Sequence, residues 1–297
     1  MRTLPILDLS LLNGTADDAA RFRDELRRAT HEVGFFYLVG HGLSPELIDR
    51  MMATARALFA LPVDAKLAIE NTHSPHFRGY TRMGGELTQG ATDWREQIDI
   101  GAERDAVPLG EGIPDFWALE GPNLWPADLP ALREVTTEWM DRLGEISVTL
   151  LRSWAEALGA PADTFDAAFA GNASPHLKIA RYPGRERTEG TQGVGAHKDL
   201  GVLTLLYVEE GKGGLQVEKD GDWIDAPPVP GAFIVNIGEL LEIATSGYLK
   251  ATLHRVQSPP AGDDRISVPF FFGPALDAEI PTIALPPELA AAARGVT

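Results

Sequence analysis

Two histidines and one aspartate have the residue types and spacing of a metal site. His197 and Asp199 are two positions apart in the segment GAHKDLG, and His254 follows in the segment LHRV. In a β-strand, residues i and i+2 project to the same face, so a strand through His197 and Asp199 would put an imidazole beside a carboxylate. Two imidazoles and one carboxylate on one face of an ion leave its opposite face open. This arrangement suits Fe(II) that must bind a co-substrate and O2 together.

A second pair of residues indicates a carboxylate-binding site. Arg265 follows His254 by eleven residues, and Ser267 follows two residues later. A guanidinium presents a planar fork that can grip a carboxylate through two hydrogen bonds, and a hydroxyl two residues along a strand faces the same way. The pair therefore predicts an anchor for a carboxylate beside the metal.

Helical periodicity dominates the N-terminal half of the chain. Apolar residues recur every three to four positions over 17–33, after Ser44 and over 129–158, which predicts amphipathic helices in these places. Ser44 is suited to cap the second helix. The aromatic run GFFYLVG predicts a strand. Residues 71–126 are rich in Gly, Pro and Thr and predict a long loop region with one strand in EQIDIG.

From His176 onward the pattern changes to short strands separated by turn residues. The predicted strands are LKIARY, VLTLLYV, GLQVEK, WIDAP, AFIVNI, LHRVQS and ISVPFFF. Such a series predicts a sandwich or small barrel. No repeat or linker divides the chain, so we expect a single domain over 1–297. Its expected parts are an N-terminal helical and loop support region (1–126), a long scaffold helix (127–160) and a catalytic strand region (175–281).

Composition and charge narrow the classes of protein and partner. The chain has no apolar run of about 18 residues, and its N-terminus does not resemble a signal peptide. With no cysteine, a transition metal would be held by imidazole and carboxylate rather than by thiolate. A formal net charge of -17 disfavours nonspecific binding to nucleic acid or anionic membrane. We therefore expect a cytoplasmic protein that acts on a small molecule; its oligomeric state stays open.

Many segments of the chain, taken in their order and spacing, match one known family. They are LPILDLS, GFFYLVGHG, FRGY, GPNLWP, LKIARYP, GAHKDLGVLTLL, GGLQV, WIDAPPVPGAFIVNIGELLEIATSGYLKATLHRV and RISVPFFFGP. Together they resemble the 2-oxoglutarate and Fe(II)-dependent oxygenases of the isopenicillin N synthase-like type. The resemblance implies a mainly β fold with flanking helices (α+β): a double-stranded β-helix, or jelly roll, with helical N-terminal support.

The same resemblance implies the roles of the two motifs already described. His197, Asp199 and His254 match the family's iron ligands. Arg265 and Ser267 match the pair that holds the far carboxylate of 2-oxoglutarate in the family. Fe(II), 2-oxoglutarate as co-substrate and O2 are therefore the expected cofactors.

Two further residues are candidate co-substrate contacts. Tyr182 matches a tyrosine of the family that assists co-substrate binding. Lys178 lies on the same predicted strand face, with a solvated strand residue as the alternative interpretation. The implied reaction is oxidation of a small organic molecule, with succinate and CO2 as co-products. Hydroxylation is the default outcome and desaturation or ring closure stay open, whereas the presence of Asp199 disfavours halogenation.

Substrate contacts are predicted from strand parity and from segments that border the pocket in relatives. If Arg265 and Ser267 face inward, parity also turns Phe271 inward, which makes it a candidate pocket wall. A bulge at Pro269 would break this parity, and ordinary core packing is the alternative for Phe271. Four other candidates have a loop or surface position as their alternative: Arg78, Tyr80, Arg95 and Gln97. The remaining histidines, His176 included, are interpreted as structural or solvated.

Two alternative functions stay open at this level. The family pair matched by Arg265 and Ser267 is retained in some relatives that do not consume 2-oxoglutarate, so an Fe(II) oxidase of the same fold is one alternative. A noncatalytic small-molecule sensor is the other, and the intact set of ligands argues against it. The chain also stops thirty residues past Ser267, whereas many relatives continue into a segment near the active-site mouth. We therefore expect a C-terminal lid to be either absent from this protein or removed from this sequence.

Overall fold

The helices and strands were obtained from a computed structural model, which describes residues 3–186 and 190–296. The helices are α1 (Ala16–Glu32), α2 (Pro45–Ala60), α3 (Val63–Leu67), α4 (Ala131–Ala157), α5 (Asp166–Phe169), α6 (Glu239–Ala244) and α7 (Pro287–Ala290). The strands are β1 (Ile6–Asp8), β2 (Phe35–Val39), β3 (Gly79–Thr81), β4 (Leu87–Thr88), β5 (Ala91–Thr92), β6 (Glu96–Gly101), β7 (His176–Pro183), β8 (Gln192–His197), β9 (Leu203–Val208), β10 (Leu215–Lys219), β11 (Asp222–Asp225), β12 (Phe233–Ile237), β13 (His254–Gln257) and β14 (Asp264–Phe272).

The long helices begin at the residues suited to cap them. The Thr15 hydroxyl accepts a hydrogen bond from the Asp18 amide, and the Asp18 carboxylate accepts one from the Thr15 amide, which forms a capping box at the start of α1. The Ser44 hydroxyl accepts a hydrogen bond from the Leu47 amide at 3.2 Å at the start of α2. The predicted helices at 17–33, after Ser44 and at 129–158 are confirmed to within two residues.

The strands form a large and a small sheet that surround the candidate site. The large sheet has the order β1-β2-β12-β9-β14-β7-β6-β3, and the small sheet has the order β11-β10-β13-β8. Within them β1 pairs with β2 in parallel, and the other pairings are antiparallel. This is the mainly β, α+β arrangement with flanking helices that the sequence predicts.

Alternation along β14 separates the apolar core from the space between the sheets. Ile266, Val268 and Phe270 belong to the core that packs against the long helices, where Trp139 of α4 is fully buried. The intervening side chains face the other way, into a cavity between the sheets. The register of β14 against β9 stays in step from Ser267 to Phe272, so Pro269 introduces no bulge. Strand β14 therefore contributes side chains both to the apolar core and to the cavity wall.

The segment 71–126 contains more strand than was predicted. The expected strand in EQIDIG is present as β6, and β3 pairs with it at the edge of the large sheet. A short hairpin, β4 with β5, lies between them. Because β3 to β5 are two or three residues long, they carry too little alternation to be recognised in the sequence.

Candidate metal centre and co-substrate pocket

The three predicted metal ligands converge at one point between the sheets. Oδ1 of Asp199 lies 3.6 Å from Nε2 of His197 and 3.5 Å from Nε2 of His254. One candidate ligand atom from each residue lies within 4.8 Å of the other two. His197 and His254 are register partners on β8 and β13, which explains why residues far apart in the sequence meet here.

Asp199 reaches this point by a route that strand alternation does not describe. Strand β8 ends at His197, so Asp199 lies in the loop beyond the strand. Its Oδ2 accepts hydrogen bonds from the Thr204 hydroxyl at 2.5 Å and from the Asn236 side-chain amide at 2.8 Å. These two bonds, from β9 and β12, turn Oδ1 toward the imidazoles. The predicted convergence of the His197 and Asp199 side chains is present. The predicted reason for it, that both residues lie on one strand, was wrong.

Hydrogen bonds to the backbone set the tautomer of both imidazoles. Nδ1 of His197 lies 2.9 Å from the Gly195 carbonyl oxygen, and Nδ1 of His254 lies 3.0 Å from the Thr252 carbonyl oxygen. A carbonyl oxygen can only accept, so both Nδ1 atoms carry the proton. Each Nε2 then presents a lone pair toward Asp199, as a metal ligand requires.

The electrostatics of the site favour the ionised form of the carboxylate ligand. Burial alone would raise the pKa of Asp199, but the adjacent His254 and His197 outweigh it and hold this pKa well below its ordinary value. Burial also lowers the pKa of His254, whereas Asp199 outweighs burial at His197 and raises the pKa of that imidazole above its ordinary value. An ionised carboxylate and neutral imidazoles are the ligand states that a divalent metal needs. The donor set of two nitrogens and one oxygen, without thiolate, fits Fe(II).

Arg265 has the properties expected of an anchor for an anion. It is 1% exposed, and neither its Nε nor its Nη1 has a hydrogen-bond partner among the described residues. Its guanidinium lies 4.8 Å from the ring centre of Tyr182, and Ser267, 2% exposed, shares its strand face. Unpaired buried N–H groups of a charged side chain are destabilising unless a ligand satisfies them. These residues therefore fit a carboxylate group of 2-oxoglutarate.

A second guanidinium lies near the same tyrosine. Nη2 of Arg95 lies 3.3 Å from Oδ2 of Asp93, and its Nε has no hydrogen-bond partner in the part of the chain that the structure describes. Burial would raise the pKa of Tyr182, but Arg95 and Arg265 outweigh it and lower this pKa below its ordinary value. The anion-binding end of the pocket is thus more cationic than Arg265 alone would make it.

One cavity of about 820 Å³ joins the metal ligands to most of the other predicted residues. Its wall includes Arg265, Ser267, Tyr182, Lys178, Phe271, Arg78 and Arg95. A volume of this size lies in the range of small-molecule sites. The structure therefore brings the four candidate co-substrate contacts into one cavity with the metal ligands. Three of the five candidate substrate contacts, Phe271, Arg78 and Arg95, line the same cavity.

Two predicted substrate contacts, Tyr80 and Gln97, lie outside the cavity wall. The Tyr80 hydroxyl donates a hydrogen bond to Glu96 at 2.7 Å, and its ring belongs to the core beneath the helices. Gln97 is fully buried and donates a hydrogen bond to Asp99 at 2.8 Å. Each therefore contacts protein in place of substrate. Their segments border the cavity, but the sequence does not show which side chains reach it.

His176 was interpreted as structural or solvated, yet it lines the cavity. Its Nε2 lies 2.7 Å from Oδ1 of Asp99, a carboxylate that is 2% exposed. His176, Lys178 and Tyr182 lie on one face of β7, so strand parity was the signal that could have found it. Phe77, the first residue of the FRGY segment, is a further cavity residue that was not predicted as a contact.

Two family models match the chain. Residues 4–128 match the N-terminal region described as "non-haem dioxygenase in morphine synthesis", and residues 173–274 match the 2OG-Fe(II) oxygenase superfamily. The second match contains the three metal ligands together with Arg265 and Ser267. A 2-oxoglutarate-dependent dioxygenase, frbJ of Dothideomycetidae sp. (strain 11243), is 40% identical over 97% of this chain and 79% of its own length. This chain belongs to the 2OG-Fe(II) oxygenase superfamily.

Two other relatives of this oxygenase are informative. Homoarginine-6-hydroxylase 2-ODD-C23.1 of Arabidopsis thaliana is 35% identical, over 94% of this chain and 87% of that protein. The crystal structure of JOX2 in complex with 2OG, Fe and JA superimposes with a TM-score of 0.76 at 34% identity, covering 95% of this chain and 78% of that one. The predicted family, jelly-roll fold and cofactors, Fe(II) and 2-oxoglutarate, are thereby confirmed, and this oxygenase is a 2-oxoglutarate-dependent dioxygenase.

Among the described residues, no helix of this oxygenase combines the length and the apolar character needed to cross a bilayer.

Proposed function

We propose that this oxygenase hydroxylates a C–H bond of a small organic substrate. In the balanced reaction, substrate, O2 and 2-oxoglutarate give hydroxylated substrate, succinate and CO2. One oxygen atom enters the substrate and the other enters succinate. The observation that carries the proposal is the convergence of His197, Asp199 and His254 in the same cavity as the unpartnered nitrogens of Arg265.

In this proposal, His197, Asp199 and His254 hold Fe(II), which supplies the activation of O2 when it is bound. Thr204 and Asn236 orient the carboxylate ligand through its Oδ2. Because Asp199 is present as the third ligand, hydroxylation is proposed rather than halogenation.

The co-substrate is proposed to lie against β14. Arg265 and Ser267 bind one carboxylate of 2-oxoglutarate, with the guanidinium supplying paired donors and the serine supplying a hydroxyl. Tyr182 lies beside them and is held in a strongly cationic setting by Arg95 and Arg265. Phe271, six residues from Arg265 on the same face, is proposed as part of the wall of the substrate-binding space.

The experiment that tests this proposal measures succinate, O2 uptake and product mass in the same reaction. Protein with Fe(II) and 2-oxoglutarate is screened against a panel of small molecules for substrate-dependent succinate release. A hydroxylase gives succinate and product in equal amounts, and the product is heavier than the substrate by one oxygen atom. A product lighter by two hydrogen atoms would show desaturation or ring closure instead. Product formation without succinate would overturn the role proposed for the co-substrate.

A further inference from the structure

The cavity has a cationic wall although the protein is strongly acidic. Asp199 is the acidic residue among the described residues of the wall, whereas five are basic: Arg78, Arg95, Lys178, Lys198 and Arg265. The chain as a whole carries a formal net charge of -17. Three of the five have a partner of their own, since Arg95 pairs with Asp93, Lys198 pairs with Glu242, and Arg265 is proposed to bind 2-oxoglutarate. Lys178 forms an ion pair with Asp99 but shares that carboxylate with His176, and Arg78 pairs with no carboxylate among the described residues. Lys178 and Arg78 are therefore the residues whose charge is least balanced.

Lys178 has hydrogen-bonding capacity that the protein does not use. Its Nζ lies 3.5 Å from Oδ1 of Asp99, beyond the usual length of a hydrogen bond. That oxygen is already bonded to His176 at 2.7 Å, and Gln97 donates to the other oxygen. Among the described residues, Lys178 makes no hydrogen bond shorter than this contact. An ammonium group has three donors, so Lys178, which lines the cavity, has the capacity to bind a ligand there as well as Asp99.

Arg78 adds a positive charge that no contacting carboxylate balances. It is 5% exposed, and its hydrogen bonds go to the backbone carbonyl oxygens of His76, Phe77 and Leu119. Its Nε has no hydrogen-bond partner, and no carboxylate lies within ion-pair distance in the described part of the chain. Burial accordingly lowers the pKa of Arg78. The hydrogen bonds to the backbone hold the guanidinium in place. Its positive charge therefore stays at a fixed position in the cavity wall and attracts anions.

These basic residues are separate from the proposed co-substrate anchor. Tyr182 pairs with Arg265 at one end of the β7–β14 ladder, and His176 pairs with Phe271 at the other. Lys178 is four residues from Tyr182, which corresponds to about 13 Å along an extended strand. Lys178 therefore lies nearer to the end of the ladder at which His176 pairs with Phe271 than to the proposed co-substrate anchor. We assign its ligand to the molecule that lies at this end.

The surroundings of Lys178 are aromatic. His176 lies between Phe77 and Phe271, with ring centres 5.8 Å and 6.0 Å away. Phe77 is 48% exposed and has a φ of +56°, a left-handed conformation that is uncommon for a bulky residue. Arg78 donates a hydrogen bond to its carbonyl oxygen at 3.1 Å and helps to hold this conformation. Residues with a strained backbone conformation cluster at ligand-binding sites. The conformation of Phe77 is therefore consistent with a ligand contact.

We propose that Lys178, with the charge of Arg78 behind it, binds the carboxylate group of an amphipathic monocarboxylate substrate whose apolar body lies against Phe77 and Phe271. This inference rests on the proposed function, because the carboxylate is expected on the molecule that is oxidised. It assigns Lys178 to the substrate rather than to 2-oxoglutarate. Lys178 is here a specificity-determining residue.

The same geometry argues against a substrate that presents a cation to this end of the cavity. Asp99 is 2% exposed and already bonded to His176 and Gln97, so it has little capacity left for a ligand. Asp199 is committed to the metal site. A cationic group would therefore meet Lys178 and Arg78 without a free carboxylate among the described lining residues. Like charges in a partly desolvated cavity repel strongly.

The test compares ligands that share an apolar body and differ in charge. A series of phenylalkanoates with increasing chain length, the matched primary amides and the matched primary amines are titrated into the protein by calorimetry. The protein is loaded with Mn(II), which replaces Fe(II) without turnover, and with saturating 2-oxoglutarate. We expect at least one carboxylate to bind about tenfold or more tightly than its amide and its amine. A series in which no carboxylate exceeds its amide would overturn the proposal.

Variants of Lys178 and Asp99 test the assignment of the residues. Lys178→Gln should reduce carboxylate affinity to that of the amide, and Lys178→Arg should keep most of it. Asp99→Asn should raise carboxylate affinity, because it removes the competing anion. Lys219→Gln is the matched control, since Lys219 lies outside the cavity wall. Unchanged carboxylate affinity in Lys178→Gln, with thermal unfolding like that of the unaltered protein, would overturn the assignment.

The two proposals fail in different ways in these measurements. A titration of 2-oxoglutarate alone into the Mn(II)-loaded protein reports the co-substrate site. Absence of 2-oxoglutarate binding would count against the proposed function. Normal 2-oxoglutarate binding without a preference for carboxylates would overturn only the inference about Lys178. The charge preference is also measured on metal-free protein, so it can be read without the metal centre.

Discussion

The side-chain amide of Asn236 donates a hydrogen bond of 2.8 Å to Oδ2 of Asp199, and this leaves Oδ1 to face the two imidazoles. Asn236 lies on β12, an inner strand of the large sheet between β2 and β9, and is 3% exposed. The orientation of the carboxylate ligand is thus set by a strand that contributes no ligand of its own.

Asn236→Ala is expected to weaken metal binding by roughly 10- to 100-fold, because the carboxylate loses one of the two donors that orient it. Calorimetric titration of Mn(II) or Co(II) into the metal-free protein measures the change. Asn13→Ala, at an exposed position, is the matched control. Equal metal affinity in the Asn236 variant and the control would show that Thr204 alone orients Asp199.

Arg265→Ala is expected to weaken 2-oxoglutarate binding by about 2–5 kcal/mol, since a buried carboxylate loses its charged partner. Arg265→Lys should recover only part of this loss, because an ammonium cannot supply two parallel donors. Titration of 2-oxoglutarate into the Mn(II)-loaded variants measures both effects. Arg21→Ala, at an exposed position, is the control. Unchanged affinity in Arg265→Ala would place the co-substrate elsewhere in the cavity.

Asp99 is expected to make stability depend on pH in the acid range. Burial would raise its pKa, but Lys178 and His176 outweigh burial and hold it at about 2, below the value of about 3.9 in an unfolded chain. A depressed pKa contributes stability that is present above the unfolded value and is lost as the pH falls toward the folded value. This contribution is roughly 2–3 kcal/mol at neutral pH.

The measurement for Asp99 is urea unfolding of the unaltered protein and of Asp99→Asn between pH 6 and pH 2.5. The difference in unfolding free energy should be largest above about pH 4 and should shrink as the pH falls. Asp105→Asn, at an exposed site, is the control. A difference that stays constant through this range would show that Lys178 and His176 do not hold the pKa of Asp99 down.

Trp139 is expected to be a main contributor to the stability of the scaffold. It is fully buried on α4, with the rings of Tyr207 and Phe233 at 6.0 Å and 5.6 Å. Trp139→Ala should lower the unfolding free energy by about 3–5 kcal/mol. Trp139→Phe should cost less, since the indole Nε1 has no hydrogen-bond partner among the described residues. Urea unfolding measures both, with the half-buried Trp117→Ala as control. A similar loss at Trp117 would contradict the proposed role of α4.

Local sequence patterns were sufficient for the elements that carry strong periodicity. The helix at 17–33 follows from apolar spacing, and the helix after Ser44 follows from apolar spacing and a capping side chain, because these signals lie within one element. Strand parity likewise predicted that Arg265, Ser267 and Phe271 share a face, and the structure places all three on the cavity wall. The same parity applied to β7 would also have indicated His176.

Patterns within one segment did not predict the direction of a side chain where residues of another segment determine it. Tyr80 and Gln97 lie in segments that border the cavity, but Glu96 and Asp99 engage their side chains. Asp199 lies beyond the end of β8 and is oriented by β9 and β12 rather than by its own strand. Side-chain direction in a loop depends on partners that are distant in sequence, and one sequence does not reveal those partners.

The sequence by itself determined the chemistry available to this protein, since two imidazoles, one carboxylate and a guanidinium are properties of residue type. It also determined the family, because many segments match in order and spacing. The tertiary structure alone decided how that chemistry is used. Pairing of β8 with β13 brings His197 opposite His254, and pairing of β7 with β14 sets the proposed co-substrate anchor apart from Lys178. Distances between side chains on different strands depend on sheet register, which results from the packing of the whole chain.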